Sequence, residues 1–177
     1  MIALLDAPSA AEPAAGPPPS VTTGRVLVLG IGNVLMGDEG VGVHAVRWLE
    51  AQAPVPGVRL LDGGTGGVNL LTEFEGVKAI IMVDATRDGC AAGTVQYHYR
   101  RHGGFGRILP ELGAHDFGLK DLFAAAALTG NLPEVHLYTV AVETIRPMCT
   151  ALSPEVVAAL PKVVRLARSL AGRLAAA

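Results

Sequence analysis

Between Arg25 and Asp84 three short apolar blocks alternate with two helical stretches, and that order leaves few folds open. Arg25-Val26-Leu27-Val28-Leu29 is short and uniformly apolar, as a buried strand is. A helix opens near Val41, with Val43, Ala45, Val46 and Leu49 at helical spacing and Trp48 beside that stripe. Val58 to Leu61 is a second strand, closed by the turn signal Asp62-Gly63-Gly64-Thr65. Val68 to Phe74 forms a short helix ended by Gly76, and Ala79 to Val83 is a third strand ending in Asp84. A β-α-β-α-β order specifies a parallel sheet with right-handed crossovers and helices on both faces.

The later elements modify this frame. Only nine residues, Ala85 to Gly93, separate the third strand from Thr94–Arg100, fewer than a parallel crossover takes, so the fourth strand is predicted antiparallel at an edge. His98 then falls on its exposed side. A glycine-rich stretch from His102 to Gly113 leads through His115 into a helix from about Phe117 to Leu128, and Val135 to Val142 supplies a fifth strand. Ser153-Pro154-Glu155 carries an N-cap, a first-turn proline and an early acid for the last helix. The expected fold is α/β, three-layered α-β-α, with a mostly parallel five-stranded twisted sheet and one antiparallel edge strand. Residues 25–177 make one domain, and residues 1–24, with Pro8, Pro13, Pro17, Pro18 and Pro19, read as a flexible Pro/Ala-rich tail.

With 14 Lys and Arg against 16 Asp and Glu, nothing attracts the chain to nucleic acid or to an anionic membrane. No apolar run is long enough to span a bilayer, and no Lys or Arg precedes Arg25 to make a signal-peptide n-region. A cytoplasmic monomer is expected. Cys90 and Cys149 share no motif spacing and are expected to be reduced thiols.

Chemistry in such sheets gathers beyond the carboxyl ends of the strands, where strand order reverses. The run Gly30-Ile31-Gly32-Asn33-Val34-Leu35-Met36-Gly37-Asp38-Glu39-Gly40 brings two adjacent acids there from the first strand. The second strand delivers Asp62 and the third Asp84. Neighbouring first and third strands would let Glu39 and Asp84 face one cleft, with His115 over the same edge. Two carboxylates and an imidazole suit a divalent transition ion with open positions. Asp38, at a helix start, reads as that helix's cap. Asp62 is equally a turn residue, and His44 and His136 sit in helix and strand patterns where they either pack or point to solvent. A dinucleotide module is the weaker alternative, because Gly30-x-Gly32-x-x-Leu35 lacks a third glycine and its acids would repel a pyrophosphate. No residue pattern marks an activated Ser or Cys nucleophile.

These motifs, taken together, resemble those of the hydrogenase maturation endopeptidases, which trim the C-terminus of the large subunit of nickel–iron hydrogenases. The resemblance rests on Gly30-Ile31-Gly32-Asn33 with Asp38-Glu39-Gly40-Val41-Gly42, then Asp62-Gly63-Gly64-Thr65, Val83-Asp84-Ala85 and His115-x-x-Gly118-Leu119. It runs from about Arg25 to Leu128 and more weakly to Ser153. It implies a phosphorylase/hydrolase-like fold and an aspartyl-type endopeptidase that binds a hydrogenase large-subunit precursor as its partner. It implies a metal-contacting trio of Glu39, Asp84 and His115, with nickel supplied by that precursor and hydrolysis through a water that Glu39 or Asp84 activates. Asp62, Gly63, Gly64 and Thr65 would border the substrate cleft. A non-catalytic nickel-sensing chaperone is the alternative from another class. The chain departs from the family pattern after Val142, where the proline is delayed to Pro147.

Overall fold

The computed structural model describes residues 25–100, 116–130 and 132–177. The tail 1–24, the stretch 102–113 and His115 lie outside the described residues. The elements are β1 (Val26–Ile31), α1 (Val41–Glu50), β2 (Val58–Gly64), β3 (Ala79–Thr86), β4 (Val95–Arg100), α2 (Asp116–Leu128), β5 (Glu134–Ala141) and α3 (Pro154–Ala176). One five-stranded sheet runs in the order β2-β1-β3-β5-β4, parallel except for β4, which is antiparallel to β5. Strand order reverses at β1 and β3, which lie side by side as their sequence position predicts.

Side-chain alternation along the buried strands feeds two cores. Val26, Val28, Ile81, Val83, Tyr138 and Val140 face α1 and α3, while Leu27, Leu29, Ile80, Met82, Val135 and Leu137 face α2 and a 3-10 helix at Gly67–Phe74. Each fully buried aliphatic side chain contributes about 1.5–3 kcal/mol relative to exposure, so both faces must be covered for the sheet to persist.

The first core closes only because two glycines meet. A Cβ on Gly30 would stand 2.2 Å from the Gly42 carbonyl oxygen; one on Gly42 would stand 2.1 Å from that of Val83 and 2.3 Å from that of Ile31. Helix α1 therefore starts in direct backbone contact with β1 and β3.

Several boundaries differ from the sequence expectation. β3 runs on to Thr86, so Asp84 lies inside the strand, paired with Thr139, rather than just after it. Ala85 and Thr86 are small or β-branched and continue the ladder without steric cost. The segment at Gly67–Phe74 is 3-10 rather than α, opening on the flexible Gly66-Gly67 pair, yet it still buries Leu70 and Phe74. His98 is not simply exposed: its Nε2 lies 3.2 Å from the Thr139 hydroxyl. Ser153 stands at the N-cap position of α3, but its side chain makes no cap bond.

His136 on β5 packs beneath the edge strand, with its Nδ1 2.7 Å from the Tyr97 hydroxyl and its ring stacked on Tyr99 at 4.9 Å. Burial holds its pKa below the ordinary 6.5 and outweighs the opposing pull of Glu134. Burial lowers that of His44 as well, with Arg47 adding to the effect.

Gly42→Ala drives a Cβ into backbone and is expected to cost at least about 3 kcal/mol in urea unfolding. Gly172→Ala, inside α3 with its nearest neighbour atom at 4.0 Å, is expected to gain about 0.5–1 kcal/mol. The unfolded chain protonates His44 and His136 as the pH falls through 6.5 while these two rings resist in the folded chain. Their contribution is thus complete above pH 6.5 and is lost as the pH falls below it, towards the lowered folded values. Thermal scans from pH 8 to 5 should show a shallower acid-side decline for His136→Phe than for the parent chain.

Candidate active site

The nine residues that join β1 to α1, Gly32 to Gly40, fold back over the carboxyl edge of the sheet. A 3-10 turn at Asp38–Gly40 hands the chain to Val41, and both of its acids are buried, Asp38 at 3% and Glu39 at 4% relative exposure. The turn can sit so low because Gly32 has φ 132, where a Cβ would meet the Glu39 carbonyl oxygen at 1.9 Å. The glycines of this loop are thus occupied by packing against the protein's own backbone. They leave no cradle for a pyrophosphate, and the helix end they lead to already carries two acids.

Asp84 reaches the same edge from β3 and is buried at 2%. Its Oδ1 accepts the Ala85 amide at 2.8 Å, which fixes the orientation of the carboxylate. Glu39 and Asp84 line one cavity together with Ala85, Thr86, Arg87, Val142 and Ile145. Thr86, Arg87, Val142 and Ile145 are absent from the sequence-based site. The signal available was the β-branched Thr86, which extends β3 past Asp84 and so carries Arg87 to the rim.

Asp38 does not cap its own helix. No side-chain cap bond forms there, and its Oδ1 instead accepts the Ser153 amide, 115 residues away, at 2.5 Å. The carboxylate therefore fastens the start of α3 to the glycine loop. Backbone pairing extends the same join: the Gly37 amide donates to the Cys149 carbonyl at 2.7 Å, and the Cys149 amide to the Leu35 carbonyl at 3.1 Å. Met36 bridges Cys149 and Gly37 bridges Ile145, so the segment after β5 holds Ile145 against the cavity despite its delayed proline.

The Asp62–Thr65 turn lies across β1 from that cavity, at the end of β2. Asp62 accepts the Gly64 amide at 3.1 Å and pairs with Arg47 at 3.0 Å, while the register of β2 shifts between Asp62 and Gly64. Gly63 is buried, and Thr65 is exposed. The structure thus brings Glu39 and Asp84 together and leaves the Asp62 turn beside them. Among the described residues, no group of three His, Cys, Asp or Glu side chains forms a ready metal cluster. The Cys90 thiol is pushed up in pKa, chiefly by its hydrogen bond to Asp88, which is the opposite of what a nucleophilic thiolate needs.

The family model described as hydrogenase maturation protease matches residues 43–169. The chain belongs to the hydrogenase maturation protease family. It is 35% identical over 151 residues to the hydrogenase expression/formation protein HoxM of Azotobacter vinelandii, covering 83% of this chain and 72% of that one. Against the hydrogenase 2 maturation protease of Escherichia coli K12 the identity is 34%, over 70% of this chain and 76% of the other. Its fold matches the solved hydrogenase maturating endopeptidase HybD of E. coli at a TM-score of 0.72 and 32% identity, covering 80% and 88% of the two chains. As a maturation protease the chain is a peptidase, and no described helix is long and apolar enough to cross a membrane.

Within this peptidase the Asp38–Ser153 bond sets the distance between the loops that frame the cavity. Asp38→Ala should cost about 1.5–3 kcal/mol, the worth of a charged hydrogen bond with its partner left unpaired. Asp38→Asn keeps an acceptor at Oδ1 and should lose less, a ranking that urea midpoints will give directly.

Proposed function

We propose that this protease removes the C-terminal peptide from the nickel-loaded large-subunit precursor of a nickel–iron hydrogenase, with Glu39 and Asp84 as its working carboxylates. The observation that carries this reading is the pair itself: one acid from the turn after β1 and one from β3, both buried, lining one cavity at the reversal point of the sheet. Both carboxylates sit where the strand order reverses, the edge of the sheet at which proteins of this architecture place their chemistry.

Two hard oxygen donors fit a divalent ion but do not enclose one. That incompleteness suits a metal that arrives on the client, already held by the client's own cysteine thiolates. Glu39 and Asp84 would then reach a nickel that is part of the substrate, and His115, which precedes α2 in sequence, would supply a third donor. An unloaded precursor would offer nothing for the carboxylates to meet, so cleavage would wait on loading. Bound there, the nickel supplies Lewis acidity, which polarises a carbonyl or makes a water more acidic.

The chain's own residues do the rest. The Ala85 amide holds Asp84 in one orientation. Val142 and Ile145 form the apolar side of the cavity. A water held by the carboxylates attacks the scissile carbonyl while one of them accepts its proton. That proton passes to the departing amine as the C–N bond breaks. Either carboxylate would serve as the base.

The test is to incubate nickel-loaded and nickel-free precursor with the parent chain, Glu39→Gln and Asp84→Asn, and read the C-terminal mass. The loaded precursor should shorten with the parent alone, with each variant at least about 100-fold slower. A parent chain that binds the loaded precursor and never shortens it would overturn the reading.

A further inference from the structure

The cavity at Glu39 and Asp84 is not closed. Arg87 and Val142, which line it, also line a second, larger groove of about 590 Å³. Its other walls are Gly89, Cys90, Ala91 and Ala92 from the β3–β4 connection, Glu143 after β5, and Glu155 on the first turn of α3.

These walls are built, not incidental. Gly93 seats the β3–β4 connection directly on α3, where a Cβ would come within 2.5 Å of the Glu155 carbonyl oxygen. The Gly93 amide donates to the Ala141 carbonyl at 2.8 Å. Asp88 braces the connection from behind, accepting the Cys90 amide at 2.9 Å and the Gln96 side-chain amide at 2.7 Å. Asp88 is thereby spent on structure, whereas Arg87, Glu143 and Glu155 are exposed and enter no ion pair or side-chain hydrogen bond among the described residues. The groove thus offers one guanidinium, on a residue it shares with the catalytic cavity, and two carboxylates.

We infer that this groove seats the extended peptide on the leaving side of the scissile bond, and that Glu143 and Glu155 select a Lys or Arg side chain in it. The inference rests on the protease reading above. A folded client that presents nickel to Glu39 and Asp84 must stand at the mouth of the cavity, and the groove that shares Arg87 and Val142 with that cavity gives its tail a place to continue. Gly89, Ala91 and Ala92 let a main chain approach closely. Arg87, at the junction, donates to main-chain carbonyls beside the cut. The groove's lining carries a net single negative charge, which favours a cationic side chain and disfavours an acidic one. Arg87, Glu143 and Glu155 are therefore positioning and specificity residues, distinct from the carboxylates that meet the reacting atoms.

The test scans charge along the tail. Nickel-loaded precursors carrying Lys, Gln or Glu at each of roughly the first six positions beyond the cut, the reach of about 20 Å of extended chain, are compared by kcat/KM. Synthetic tail peptides with the same changes are titrated by fluorescence anisotropy, which reads the groove whether or not cleavage occurs. At one position or more, Lys should beat Glu by about tenfold in both assays, the cleavage difference appearing in KM. The Glu143→Gln/Glu155→Gln double variant should shrink that ratio below about twofold while still cleaving the Gln precursor. Arg87→Gln should raise KM for every precursor without changing the charge preference. A ratio near one throughout, or a preference that survives the double variant, would overturn the inference. Peptides bound with the expected preference by a chain that cuts no precursor would leave the groove standing and remove the protease.

Discussion

The direct contact of α1 with the sheet is the constraint on which everything else in this molecule depends. Gly42 stands where a single methyl group would collide with the carbonyls of Val83 and Ile31. That contact places the residues just before the helix at backbone depth. Glu39, three positions upstream of Gly42, is buried at that depth. Were the helix a methyl further out, the Glu39 carboxylate would rise towards solvent and no longer share a cavity with Asp84. The loop's glycines therefore serve the acid by geometry, and the phosphate-binding use of a strand-turn-helix glycine run is excluded by the same closeness.

A second constraint ties the two ends of the chain's described domain across this edge. Asp38 reaches Ser153, and Leu35–Gly37 pairs with Ile145–Cys149. The pairing forces Met148 into a left-handed backbone at φ 57 and leaves its side chain 90% exposed. A non-glycine residue in that region costs about 1 kcal/mol or more, and surrounding structure must over-determine it. Here the over-determination comes from the Cys149 amide and carbonyl, both of which are engaged with the glycine loop. The segment that holds Ile145 over the cavity is thus fixed by the same loop that buries Glu39, so the two walls of the site are mechanically one unit.

Much of this was legible in the chain's apolar order. The three blocks before Asp84 demanded a parallel sheet, the nine-residue gap before Thr94 demanded an antiparallel edge, and side-by-side first and third strands brought Glu39 and Asp84 to one cleft. What escaped were terms that depend on distant partners. Asp38 looked like a local cap because N-capping is a rule about the next three residues, whereas the amide it satisfies belongs to Ser153. Ser153 looked like a side-chain cap for the complementary reason. The end of β3 was placed at Asp84 because a charged residue ordinarily leaves a buried strand. In the fold, pairing with β5 carries the ladder on to Thr86, and that extension puts Arg87 at the rim. Asp62 sat in a glycine turn that fitted either a structural or a cleft role, and its partners prove to be Arg47 and the Gly64 amide.

The incompleteness of the carboxylate pair has a consequence for how such a protease would avoid cutting at the wrong time. A closed cage of protein ligands would bind a free divalent ion and stay occupied, so it would report on metal in solution and not on metal in the client. On the proposed reading, two oxygen donors and the His115 imidazole would leave coordination positions open, and the site would fill only when another molecule brings the remaining ligands. On the proposed reading, the rigidity that Gly42 and the Ala85 amide impose is what makes this discrimination possible. A mobile pair could adjust to a metal-free client, whereas a fixed pair meets its target only when the nickel stands at the position that loading gives it.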